Sequence, residues 1–175
     1  MTVLSEEAAS RRLRAVDASQ ESIETTSLWI MHHKDSADTM LHSWMNVFRI
    51  GTEKQRLALF YVANDVCQKT RKRPGYDMLR SAFVPRLIGA MSLIRSDEAM
   101  KSKIIRVVDI WEQREVFEKP TIGELRSALS MTYEDSSDVD ERLLLEFDPA
   151  TLITDLEKFQ KIEAAIEKAR VILSK

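Results

Sequence analysis

Two small sets of side chains in this sequence have types and spacings suited to chemistry, and both suit recognition better than catalysis. The first is Tyr61, Asn64, Asp65 and Gln68. Counted from Tyr61 they fall at steps of 3, 4 and 7, so on a helix they share one stripe. That stripe interrupts Leu57, Leu59, Phe60, Val62, Ala63 and Val66, which otherwise leave the helix almost no polar face. Polar groups in such a helix need partners, because an unpaired buried one costs roughly 1–3 kcal/mol. They either form an internal hydrogen-bond network that fixes helix packing or make a groove floor offering donors and acceptors to an extended peptide. The second set is Lys103 and Arg106, three residues apart, with Lys101 nearby. Two cations at a rigid spacing form a phosphate clamp, since Arg gives a bidentate contact and Lys adds a point charge. Arg106 stands among Ile104, Ile105, Val107, Val108, Ile110 and Trp111, where an arginine is expected to need a partner. The plain alternative is a solvated charged face.

Other candidates are weaker. Lys69, Arg71, Lys72 and Arg73 read as a basic loop, which suits a nuclear localisation signal, a nucleic-acid contact or an ordinary solvated turn. His32 and His33 are adjacent, so on a helix they point about 100° apart and do not chelate one metal. His42 falls on another helix, and Cys67 stands alone, which excludes an internal disulfide and a thiolate cluster. No Gly-rich phosphate loop, paired-Cys site or nucleophile elbow occurs. The expectation is a protein that is not an enzyme, with no metal and no cofactor.

The elements that must position these residues read as consecutive helices. Glu6–Val16 is helical, Asp17-Ala-Ser19 ends it, and Ser19 serves as the next N-cap. A second helix carries Ile23, Leu28, Trp29 and Ile30 into His32-His33. Ser36–Arg49 has an amphipathic stripe of Met40, Leu41, Trp44, Met45 and Phe48, closed by Gly51-Thr52. Thr52 and Gln55 form a capping box for the helix over 55–68, with Gln55 reaching back to the cap. A helix so apolar should be buried and central. The basic turn Lys69–Gly75 ends it, and helices over about 77–94 and 97–113 follow. Pro120 precedes a second capping box, Thr121 to Glu124, opening a last helix to about Met131. Seven or eight helices with short connections stack as antiparallel pairs into a superhelix whose hand the pattern leaves open.

Composition agrees. Four glycines and four prolines in 175 residues are too few for a β-sandwich, and eight methionines accompany good helix formers. No apolar run approaches the roughly 20 residues that span a bilayer, and the N-terminal segment lacks a signal-peptide h-region, so an intracellular protein is expected. Residues 1–132 hold 20 Lys and Arg against 17 Asp and Glu, a net of +3, whereas residues 133–175 hold 6 against 11, a net of −5. Seven acids and one base lie between Glu134 and Asp148. Like charge at that density resists collapse, so 133–148 is expected to be a solvated acidic linker. Asp148 as N-cap and Pro149 then start a helix over 149–175. Leu152, Leu156, Phe159, Ile162, Ile166, Ala169 and Leu173 make about three heptads of a coiled-coil-like seam. The expectation is a coiled coil cut short at Lys175, with folding back onto the domain as the alternative.

Four segments carry a resemblance to a known family. Ser19-Gln-Glu-Ser-Ile23, Ser27-Leu-Trp-Ile-Met-His-His33, Phe60-Tyr-Val-Ala-Asn-Asp-Val-Cys-Gln68 and Arg106-Val-Val-Asp-Ile-Trp-Glu-Gln-Arg114 resemble the CID, which binds the C-terminal heptad repeats of RNA polymerase II. Residues 1–132 look most like the CID of the regulation of nuclear pre-mRNA domain-containing family, where a coiled-coil dimerisation region follows. The resemblance implies an all-α fold, a right-handed superhelix of about eight helices with a groove for the heptad peptide. It implies a phosphorylated second-position serine at Arg106 with Lys103 beside it. Tyr61, Asn64 and Asp65 would line a tyrosine pocket and hold the peptide backbone, Gln68 shares their stripe, Ile110 would be an apolar wall, and Ser19 and Gln20 would flank the groove. Relatives often have Asn where this chain has Asp109, whose carboxylate is expected to pair with Arg106 and compete with phosphate. The reading is a nuclear adaptor for the phosphorylated polymerase tail, acting in transcription regulation or pre-mRNA 3′ processing and termination. It is expected to form a homodimer or heterodimer through the C-terminal helix, to contact nucleic acid weakly or not at all, and to bind no membrane. The alternative is a membrane-trafficking adaptor of the VHS or ENTH kind, with the basic loop on anionic lipid.

Overall fold

The computed structural model describes residues 4–130 and Lys161. Seven α-helices occur among the described residues: α1 Glu6–Arg14, α2 Gln20–His32, α3 Ala37–Ile50, α4 Glu53–Thr70, α5 Asp77–Ile94, α6 Glu98–Gln113 and α7 Lys119–Ser130. A single 3-10 turn, Lys34–Ser36, joins α2 to α3. The chain divides into two compact units, Met1–Met131 and Thr132–Lys175. Within the second unit only Lys161 is described, as helical and exposed, so the expectations of an acidic linker and a coiled-coil seam lie outside the described residues.

Side-chain caps set most of the helix starts. Ser5, Ser19, Thr52 and Asp97 accept from the backbone N–H three residues on, at 3.2, 3.3, 3.3 and 3.0 Å. Gly51 ends α3 where a Cβ would meet the Val47 carbonyl oxygen at 2.9 Å, a contact only glycine avoids. Four local expectations are corrected. The first helix stops at Arg14, and Val16 is buried just beyond it. Ser36 belongs to the 3-10 turn. Gln55 does not close a capping box, because its Nε2 donates to the Arg14 carbonyl at 2.8 Å and ties α4 to the end of α1. The last helix opens at Lys119, not at a Thr121 cap. Pro120 then falls in its first turn, where an N–H has no intrahelical partner to lose.

The helices pack by twos. In one layer α1 lies on α3, α3 on α5 and α5 on α7; in the other α2 lies on α4 and α4 on α6. The core between the layers holds Trp44, Trp111, Phe48, Phe60 and Phe83, all fully buried. Trp44 stacks on Phe48 with centroids 5.2 Å apart, and Trp111 stacks on Phe60 at 5.8 Å. Central α4 touches α2, α3, α5 and α6, as its apolar sequence requires. Its buried residues are Ala58, Leu59, Phe60, Val62, Ala63, Val66, Cys67 and Thr70, which leaves the polar stripe on the remaining face.

Candidate functional site

On that remaining face of α4, Tyr61, Asn64, Asp65 and Gln68 are half-buried. To one side of it Ser27 Oγ on α2, which donates to the Ile23 carbonyl at 2.7 Å, lies 3.4 Å from the Val62 carbonyl, and to the other Trp111 Nε1 on α6 donates to Asn64 Oδ1 at 2.8 Å. The stripe therefore lies on a helix that packs against both α2 and α6. An indole N–H only donates, so the atom facing Trp111 is the Asn64 oxygen. Gln68 Nε2 donates to the same oxygen at 2.8 Å, and Arg114 in turn donates to Gln68 Oε1. These bonds fix the α4–α6 packing, the internal network that was one of the two alternatives for the stripe. Asn64 and Gln68 spend their oxygens on packing. The Asn64 NH2 and the Tyr61 hydroxyl have no partner among the described residues. Asp65 accepts from Lys69 at 2.5 Å, an i, i+4 pair on α4.

The second set is arranged differently from its expectation. Arg106 is not embedded in apolar surroundings; it is exposed, as is Lys103. At about 100° per residue, Ile104, Val107, Val108 and Trp111 turn into the core and leave Arg106 pointing away from it. Neither cation has a hydrogen bond or ion pair among the described residues, whereas Lys101 pairs with Glu98 at 3.5 Å. The helix sorts its charges. Lys103, Ile110 and Arg114 are displaced from Arg106 by about 40–80° toward α4, and Asp109 and Glu112 by about 60–120° the other way. There both carboxylates meet Arg126 of α7: its NH2 lies 2.8 Å from Asp109 Oδ1 and 2.6 Å from Glu112 Oε2. Asp109 thus does not pair with Arg106, contrary to expectation. Bonds from Glu112 and then Asp109 push the Arg126 pKa up. Sequence reasoning missed Arg114, Glu112 and Arg126. Glu112 three residues after Asp109 was a readable signal; Arg126, on another helix, was not.

Ser19 and Gln20 are exposed at the start of α2, and their bonds stay at the α1–α2 junction. Ser19 Oγ caps α2, its N–H donates to Asp17 Oδ1 at 2.8 Å, and Gln20 Nε2 donates to Glu24 at 3.0 Å. The Ser19 bonds hold the Asp17 carboxyl below its usual pKa. No hydrogen bond joins Ser19 or Gln20 to the α4 stripe among the described residues. The basic run is only partly a loop. Lys69 lies on α4 against Asp65, Arg71 caps that helix, and Lys72 takes a left-handed φ of 55°. Arg73 and Lys34 sit 4.9 and 5.4 Å from the Tyr76 ring centre. Cys67 is fully buried and its thiol is pushed up to about 12, which leaves little thiolate for chemistry at neutral pH. Among the described residues no group of three His, Cys, Asp or Glu gathers to hold a metal, and no helix is long and apolar enough to cross a membrane.

Comparison with known proteins agrees with this architecture. The family model for the CID domain matches residues 7–125. "Regulation of nuclear pre-mRNA domain-containing protein 1A" of Gallus gallus is 35% identical over 131 residues, 74% of this chain and 48% of that protein. The 1B protein of Homo sapiens is 33% identical over 138 residues, 78% of this chain and 40% of that one. The chain thus spans less than half the length of these curated relatives. Among solved structures, a non-canonical CID of Ctk3 has a TM-score of 0.61 at 12% identity, covering 71% of this chain and 91% of its own. The yeast Nrd1 CID in complex with Sen1 NIM1 has a TM-score of 0.56 at 15% identity, covering 70% and 94%. At these identities the two structures speak to the fold.

Proposed function

The chain belongs to the CID domain family, and from that premise we propose that it is a nuclear adaptor binding the phosphorylated heptad-repeat tail of RNA polymerase II. The observation that carries this reading is the charge sorting of α6. Arg106 and Lys103 stand solvent-facing and unpaired among the described residues, on the helix that Trp111 and Arg114 clasp to the α4 stripe. A phosphoserine at the second heptad position meets Arg106 as a bidentate acceptor, and Lys103 adds a point charge. The Asn64 NH2 and Tyr61 hydroxyl serve the peptide as hydrogen-bonding groups, Asp65 as an acceptor, and Ile110 as apolar wall. Ser19 and Gln20 enter as flanking residues on the family resemblance alone. The family match favours this reading over a VHS- or ENTH-like trafficking adaptor, and the relatives' names support a role in pre-mRNA regulation.

Docking orders a short flexible peptide, so single-repeat affinity is weak and leans on the phosphate. The C-terminal stripe from Leu152 to Leu173 supplies a dimer seam, and two grooves on one repetitive tail raise avidity through effective concentration. The test is titration of synthetic heptad peptides with and without the second-position phosphate, with anionic liposome co-sedimentation in parallel. Tighter binding of the phosphopeptide supports the reading. Liposome binding without peptide binding would move the protein to the trafficking class.

A further inference from the structure

We propose that Arg126 is a positioning residue for phosphate recognition: by holding Asp109 against α7, it keeps that carboxylate off Arg106. This rests on the reading that Arg106 takes the phosphate. Arg106 and Asp109 are three residues apart on α6, the spacing at which opposite charges on a helix pair. An Arg106 engaged by its own Asp109 would have to give up that contact for each incoming phosphate. In the structure Asp109 is engaged elsewhere, its Oδ1 2.8 Å from the Arg126 guanidinium, and the same nitrogen reaches Glu112 at 2.6 Å. Glu112 strengthens the device. It is three residues from Asp109, so without Arg126 two like charges lie together on α6 and repel. Asp109 then has Arg106 as its nearest cation on the helix. Arg126 stays charged throughout, as a guanidinium does at any working pH.

The consequence is that α7, which makes no proposed contact with the peptide, governs the charge of the phosphate site. Asp109 has two stations, and Arg126 selects the one that leaves Arg106 free. The side chain of Arg126 is 42% exposed, so replacing it leaves no buried charge unpaired.

The test compares wild type, Arg126→Gln, Arg126→Lys and the double variant Arg126→Gln/Asp109→Asn. Each is titrated with the phosphorylated and unphosphorylated heptad peptides, and the Arg106 Nε–Hε resonance is followed by NMR without peptide. Arg126→Gln should weaken the phosphopeptide roughly three- to fivefold and the unphosphorylated one less than about twofold, the upper part of the scale of one exposed charge pair. Arg126→Lys keeps a cation for Asp109 and should stay within about twofold of wild type. The double variant should recover phosphopeptide affinity to a similar margin, which a merely structural role for Arg126 would not allow. The Arg106 resonance should move in Arg126→Gln and return in the double variant. A resonance that stays put, a loss that Asp109→Asn does not relieve, or a loss in Arg126→Lys as large as in Arg126→Gln would overturn the proposal. Equal wild-type affinity for the two peptides would instead remove the phosphate reading beneath it, a result seen before any variant is measured.

Discussion

Replacing Asn64 by alanine should destabilise the domain well beyond the usual effect of a half-exposed polar position. Asn64 Oδ1 accepts from Trp111 Nε1 and from Gln68 Nε2, each at 2.8 Å. Trp111 is fully buried, and no side-chain nitrogen or oxygen is left buried and unpaired among the described residues. Truncation orphans the indole N–H at a cost of about 1–3 kcal/mol and removes the Gln68 bond, worth about 0.5–1.5 kcal/mol. Since Gln68 recovers part of its loss from water, a total of about 2–3 kcal/mol is expected. For a domain of this size that lowers Tm by roughly 6–15 °C. Urea denaturation followed by tryptophan fluorescence, in a cycle with Trp111→Phe and the double variant, isolates the bond. Once the indole N–H is gone, losing the acceptor costs less, so the double variant should fall short of the summed single losses by about 1–2 kcal/mol. Additivity within about 0.5 kcal/mol would show that the two side chains are not coupled and refute the reasoning.

Burial sets the pH dependence of Cys67. Its thiol ionises near 9.0 in the unfolded chain, and burial pushes it up to about 12 in the folded one. From pH 9 upward the native state therefore holds a proton that the unfolded state has lost, so the thiol's own effect on stability is nil well below pH 9 and approaches a loss of about 1.4 kcal/mol per pH unit above it. Urea melts of wild type and Cys67→Ala at pH 8 and pH 10 should converge at the higher pH; a constant gap would refute the burial argument. The C-terminal stripe makes a separate prediction. Leu156→Asp with Ile166→Asp should abolish self-association in sedimentation velocity while leaving single-repeat binding unchanged, and a wild-type chain that is monomeric at high concentration would contradict the dimer seam.

Much of the scaffold was legible because its signals are local. Ser19 and Thr52 mark helix starts through side-chain bonds spanning three residues. The steps of 3, 4 and 7 from Tyr61 to Gln68 placed four polar residues on one face of α4 before any contact was known. The failures share a cause, which is that neighbours in sequence were taken for neighbours in space. Arg106 has apolar residues on both sides in the chain, yet Ile104, Val107, Val108 and Trp111 turn inward while Arg106 and Ile105 turn out. Asp109 has Arg106 as the nearest cation on its own helix, but its partner is Arg126, 17 residues on. Gln55 has the spacing of a local capping box, while its amide reaches Arg14, 41 residues back. Local periodicity says which face a residue occupies; which helix comes to meet that face depends on the whole packing.

The central claim is that Arg106 reads a phosphate, and one measurement tests it most directly: calorimetric titration of wild type and Arg106→Ala with the second-position phosphopeptide and its unphosphorylated twin. Arg106 is exposed and unpaired among the described residues, so its removal should leave the fold and the melting temperature intact. The account predicts that Arg106→Ala loses about 1.5–3 kcal/mol of affinity for the phosphopeptide, the scale of a hydrogen bond to a charged group, and much less for the unphosphorylated peptide. Equal losses for both peptides, or a wild type that binds the two alike, would contradict it.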